Sequence, residues 1–127
     1  MKRGDVVLVS GKGDCGKARP AVVVQADYLA EHLGSVTVVP FTSDLSSDIS
    51  IRFLVEPHPS NGLRVRSQAM VDKVQTYPRE KVFGPIGALG PSQMMQVERA
   101  LIVFLQLASS LLAGPSTIPS ISQGTNP

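Results

Sequence analysis

Arg19, Thr42, Ser43, Arg64 and Arg66 are the residues of this sequence whose types and settings could do chemistry. Each is a cation or a hydroxyl at the border of an apolar, strand-like run. Such groups suit the binding and polarising of phosphate, arginine above all because its planar fork donates two bonds at once. Arg19 stands in Lys17-Ala18-Arg19-Pro20, which runs into Ala21-Val22-Val23-Val24-Gln25. Pro20 fixes its own φ and restricts Arg19 to extended geometry, so the guanidinium leaves a stiff junction. Taken alone, the same arginine reads first as a solvated cation at a strand edge. Thr42 follows the run Ser35 to Val39 and Pro40, and its hydroxyl can either cap a turn or face a groove. Arg64 and Arg66 share one face if their segment is extended, and then suit phosphate contacts or plain solvation.

Other chemistries find little footing. His32 and His58 stand far apart without a matching set of acids, and the single cysteine, Cys15, completes no zinc-like spacing, so neither a metal nor a cofactor is expected. No glycine fingerprint follows a strand, which leaves a nicotinamide cofactor unsupported. The basic, glycine-rich run Gly11 to Lys17 resembles a phosphate cradle superficially, but Lys17 is followed by Ala18 rather than Ser or Thr. A partnerless Cys15 excludes an intrachain disulfide and fits a reducing compartment. Asp5, Asp14, Asp44 and Asp72 all lie near turns or strand ends, where capping is the commoner role.

A chain of 127 residues suits one domain with one core, and its net charge of +2 permits an anionic partner without requiring one. The amino terminus opens directly into Val6 to Val9, which leads us to expect a cytoplasmic protein. The longest apolar stretch, Ala100 to Ala113, is too short to span a membrane and is interrupted by Gln106, Ser109 and Ser110.

The elements that must position these residues follow from the pattern. Val6 to Ser10 reads as a strand covered on both faces, and Ala21 to Gln25 as a second strand. Asp27 to Leu33 suggests a short helical turn. Ser35 to Val39 reads as a third strand, broken by Pro40. A fourth, Ser50 to Glu56, puts Ile51, Phe53 and Val55 on one face; Ser67 to Val74 is another strand-like run. Tyr77 to Lys81 reads as a turn, and Val82 to Leu89 holds too many breakers for a central strand. Gly90-Pro91 opens a helix with Gln93 placed to reach back to its start. Met94, Val97, Leu101, Leu105 and Ala108 form its core stripe. Leu101 to Leu105 is apolar all round, which predicts a second cover from this domain or from another subunit, and Gly114-Pro115 closes the helix. Short strands followed by one helix indicate a mostly-β or α+β domain, a small antiparallel barrel or twisted sheet with helical cover, over residues 1–113. Residues 114–127, rich in Ser, Thr, Pro, Gly and Asn, read as a disordered tail.

Several of these segments carry a family resemblance. Lys2-Arg3-Gly4-Asp5-Val6-Val7-Leu8-Val9, then Lys17 to Gln25, then Val38-Val39-Pro40-Phe41-Thr42-Ser43, Val71 to Thr76, and Ile86 to Leu89 with the helix after it, resemble in order the MazF/PemK toxin endoribonucleases. The resemblance covers roughly residues 2 to 112. It implies an SH3-like barrel with a carboxy-terminal helix, a homodimer, and a cognate antitoxin whose tail occupies the RNA groove. It further implies metal-independent cleavage of single-stranded RNA at a short sequence, with Arg19 and Thr42 as catalytic residues. Lys17, Ser43, Arg64 and Arg66 would then hold the RNA. Asp72 is a third catalytic candidate, although some relatives carry an arginine two positions earlier and this chain has Met70 there. Two other readings stand beside this one. A gyrase-poisoning toxin of the CcdB type shares the fold, but its tryptophan near the helix end has no counterpart in a chain without Trp. A degenerate SH3-like module would bind RNA or a peptide without cutting.

Overall fold

The computed structural model describes residues 1–10 and 17–112. The expectations for the loop Gly11 to Gly16, for Cys15, for Gly114-Pro115 and for the tail lie outside them. Seven strands form one antiparallel sheet: β1 (Asp5–Ser10), β2 (Ala18–Val23), β3 (Ser35–Thr42), β4 (Arg52–Val55), β5 (Ser67–Met70), β6 (Gln75–Pro78) and β7 (Val82–Ala88). Their spatial order is β4-β5-β3-β2-β1-β7, with β6 also on β3. Among the described residues there are also three α-helices, α1 (Asp27–Ala30), α2 (Pro91–Leu105) and α3 (Ser109–Leu112). This is the expected mostly-β, α+β architecture. β4 and β7 do not pair; instead the loop after β4 reaches β7, where the Ala88 N–H donates to Ser60 O at 2.8 Å. A Cβ on Gly87 would stand 2.3 Å from the Asn61 carbonyl carbon, so only glycine admits this approach of backbone to backbone.

The central strands are apolar because both faces are covered. Val6, Val22, Val39, Phe41 and Val97 belong to the cluster beneath α2, while Val7, Val9, Ala21, Val23 and Val38 form a second one on the opposite face. Alternation in β1 splits its valines between the two.

Several elements differ from the sequence reading. β3 is not broken by Pro40 but runs on to Thr42. Along one edge β3 pairs with β6 through Val38 and with β5 from Phe41, so Pro40 falls where that ladder is interrupted and a missing N–H is tolerated. β2 starts at Ala18, which places Arg19 and Pro20 inside the strand rather than before it. The run expected at Ser67 to Val74 stops at Met70 and turns through a 3₁₀ segment, Val71–Lys73, while Gln75 to Pro78 is strand.

β7, with its breakers, is an edge strand with a register shift against β1 and a cis Gly84–Pro85 bond. α2 begins as expected, with Pro91 in its first turn and the Gly90 N–H donating to Gln93 Oε1 at 3.3 Å. It ends earlier, at Leu105, because Gln106 adopts a left-handed conformation at φ 54°. Val97 and Ala100 are buried and Met94 and Leu101 pack on the core, but Leu105 does not complete the stripe, being 49% exposed. Val103 is 68% exposed, so the described residues leave the far face of α2 uncovered.

Candidate functional site

A groove of about 300 Å³ opens between the start of β2, the end of β3 and the segment entering β5. Lys17, Arg19, Thr42 and Ser43 line it together with Ala18, Pro20, Phe41, Val65 and Ser67. Four of the residues singled out in the sequence therefore meet in one place. The reason lies in strand register. β2 and β3 pair with Val22 opposite Val39 and Ala21 opposite Pro40; the paired ladder ends there, and the same register continued two residues further sets Arg19 opposite Thr42. Directly opposed residues of an antiparallel pair project to the same face. Both side chains are half-buried, held by the sheet rather than by a loop.

Thr42 has a defined polarity. Its Oγ1 accepts a bond from the Asp44 N–H at 3.1 Å, which leaves the hydroxyl hydrogen for an acceptor elsewhere. The turn beyond is fastened by Asp44, whose Oδ1 accepts from the Ser46 hydroxyl at 2.6 Å and the Ser46 N–H at 3.0 Å. Those bonds hold the Asp44 carboxyl below the ordinary aspartate range. Val65, 53% exposed, gives the groove an apolar wall opposite the cation and hydroxyls, whereas the Phe41 ring is buried and belongs to the core. A polar floor against an apolar wall suits a phosphate flanked by a sugar or base.

The other candidates do not line the groove. Arg66 pairs with Glu56 at 3.0 Å across an exposed surface, where such a pair contributes little to stability. Arg64 is exposed at a bend, so it shares no strand face with Arg66. Asp72 follows β5 at the end away from Ser67, and Arg52 grips it in two parallel bonds: Nε to Oδ1 at 2.8 Å and Nη2 to Oδ2 at 3.0 Å. This fork is the main reason that the Asp72 carboxyl sits below its usual range. Arg52 lies opposite Met70 in the β4/β5 ladder, so a neighbouring strand brings a cation to the place where Met70 carries none. Among the described residues, no group of three or more His, Cys, Asp or Glu could hold a metal ion.

Sequence reasoning missed Val65, Ser67 and the Arg52 fork. Val65 and Ser67 reach the groove through pairing between distant segments. Arg52 alternates with Leu54 in a manner no different from a solvated position.

Comparison with known proteins places this geometry. Residues 2–105 match the model of the family described as PemK-like, MazF-like toxin of type II toxin-antitoxin system. A probable endoribonuclease MazF of Mycolicibacterium smegmatis is 39% identical over 109 residues, covering 85% of this chain and 99% of the relative. Endoribonuclease MazF9 of Mycobacterium tuberculosis is 30% identical over 118 residues, covering 86% and 99%. Among solved structures, Mycobacterium tuberculosis toxin MazF-mt6 superposes with a TM-score of 0.69 at 25% identity, covering 80% of this chain and 96% of its own. An endoribonuclease in complex with its cognate antitoxin, from a mycobacterial species, reaches a TM-score of 0.71 at 20% identity, covering 84% and 96%; at that identity it speaks to the fold alone.

Proposed function

The chain belongs to the PemK-like, MazF-like toxins of type II toxin–antitoxin systems, and from that premise we propose that it is an endoribonuclease cutting single-stranded RNA with Arg19 and Thr42 as its catalytic pair. Family membership favours this reading over a gyrase poison or a non-cutting module. The observation that supports the site assignment is that Arg19 and Thr42 line one groove, as the β2/β3 register continued past Ala21 and Pro40 would have them do.

In this reaction the ribose 2′-oxygen forms a bond to the adjacent phosphorus and the bond from phosphorus to the 5′-oxygen breaks. The 2′-hydroxyl loses its proton, the departing oxygen gains one, and the products end in a 2′,3′-cyclic phosphate and a 5′-hydroxyl. Charge accumulates on the nonbridging oxygens of the phosphorane. Arg19 neutralises it by donating in a fork, and Thr42 donates its remaining hydroxyl hydrogen to the same group. Arginine holds its protons too firmly to act as a base. Lys17 and Ser43 contact neighbouring RNA backbone from the groove rim. Arg64 and Arg66, the chain neighbours of Val65, extend the RNA path beyond the groove rim, and Asp72, tied to Arg52, stabilises the turn after β5 instead of taking part in proton transfer.

A cognate antitoxin neutralises the toxin, and the groove that takes RNA is the surface such a partner closes. The toxin is a homodimer: Ile102, Val103, Phe104 and Leu105 form an exposed apolar end on α2 that a second copy would cover. No helix among the described residues is long and apolar enough to cross a membrane.

The test is cleavage of an unstructured RNA in the presence of a chelator. Arg19→Ala should retain RNA binding while cutting on the order of 10²–10³-fold more slowly, the usual cost of removing one transition-state donor. Full activity in Arg19→Ala would overturn the mechanism.

A further inference from the structure

Gln68 is the least explained polar residue near the groove. It is 6% exposed and sits directly opposite Thr42 in the β3/β5 ladder. With the β2/β3 register continued, Arg19, Thr42 and Gln68 occupy one transverse row across three neighbouring strands. The Gln68 amide nitrogen donates to Ser47 O at 2.9 Å and to Leu45 O at 3.4 Å, while its Oε1 is buried without a hydrogen-bond partner among the described residues. Leaving a buried acceptor unsatisfied is costly, so an apolar side chain would fill this position more cheaply. What the carboxamide provides in return is a grip on two carbonyls of the turn that follows β3. That same turn supplies the Asp44 N–H to Thr42 Oγ1.

We infer that Gln68 is a positioning residue: by clamping the 45–47 turn it fixes the Asp44 N–H, and through it the direction in which the Thr42 hydroxyl donates. The inference rests on the catalytic reading of Thr42 given above. Gln68 has no contact with RNA in this scheme, so its loss should slow the chemical step without weakening substrate binding. Misplacing a donor by about 1 Å typically costs up to about 10²-fold in rate.

The experiment compares kcat and KM for RNA cleavage by the full chain, Gln68→Met, Thr42→Ala and the double variant, with thermal unfolding of each. Gln68→Met keeps the volume and removes the orphaned acceptor, so Tm should hold within a few degrees while kcat falls roughly 10–100-fold and KM changes less than about twofold. In the Thr42→Ala background the same substitution should have no further effect, as expected for residues acting as one unit. Gln68→Asn, which keeps the amide but falls a methylene short, should reproduce the loss if Gln68→Met does not fold. Amide exchange of the unsubstituted chain provides a further check, with Asp44 and Ser46 protected. Unchanged kcat in a folded Gln68 variant, an effect that rises in KM alone, additive losses in the double variant, or unprotected Asp44 would each overturn the inference. Absence of cleavage by the unsubstituted chain would instead overturn the endoribonuclease reading, which separates the two.

Discussion

Thr42 and Asp72 illustrate how differently two polar side chains at strand ends can be employed. Thr42 gives its oxygen to a backbone N–H and keeps a hydrogen for a ligand, whereas Asp72 is saturated by the two-pronged grip of Arg52. Thr42→Val, which preserves shape and removes the donor, should therefore lower the cleavage rate about 10²-fold with little change in Tm. Asp72→Asn should do the reverse: cleavage near that of the parent, and a stability loss of about 2 kcal/mol as Arg52 loses a charged partner. The sign of the pH dependence follows from the depressed Asp72 carboxyl. Its contribution is fully present above the ordinary aspartate value of 3.8 and fades as pH falls below it, through the lower value of the folded chain. Denaturant melts across pH 2 to 6 should show an acid-side loss that is smaller in Asp72→Asn. That Arg19 and Thr42 belong together was suggested in the sequence by their motifs, and both line the groove; the partner of Asp72 was not legible, because a side chain 20 residues away leaves no local signature.

At the scale of elements, prolines are where local rules and the sheet part company. Pro20 and Pro40 look like strand boundaries, yet both lie inside strands. An interrupted ladder is a property of neighbours, which no stretch of sequence contains by itself. β1 was readable from its nearly unbroken apolar run, and β4 and the start of α2 from an apolar periodicity that is local. β7 was readable only as a non-central segment, and its edge position accounts for that. The loop after β4, which contacts β7 on its way to β5, precedes the groove wall at Val65, so the contact at Gly87 bears on the site from a distance. Gly87→Ala should destabilise the fold by about 1–3 kcal/mol through overpacking against Asn61, seen as a lower midpoint in denaturant. It should also raise KM for RNA as the wall shifts.

For the whole molecule, the α+β class and the helix on one face of the sheet follow from the order of patterns along the chain. The apolar run at the end of α2 signalled a second cover, and the described residues leave that face open. Val103→Asp replaces a 68% exposed side chain, so the monomer should fold unaltered while sedimentation shifts from dimer to monomer. The groove and the apolar end of α2 together fit the proposed RNA-cutting toxin, whose proposed reactive pair is set by the pairing of β2 with β3. The most direct measurement of that claim is to map the ends left on an unstructured RNA by the purified chain and by Arg19→Ala. The parent should leave 2′,3′-cyclic phosphate and 5′-hydroxyl ends, with the variant at least about 10²-fold slower. Ends carrying a 3′-hydroxyl and a 5′-phosphate, or equal rates for the two proteins, would contradict it.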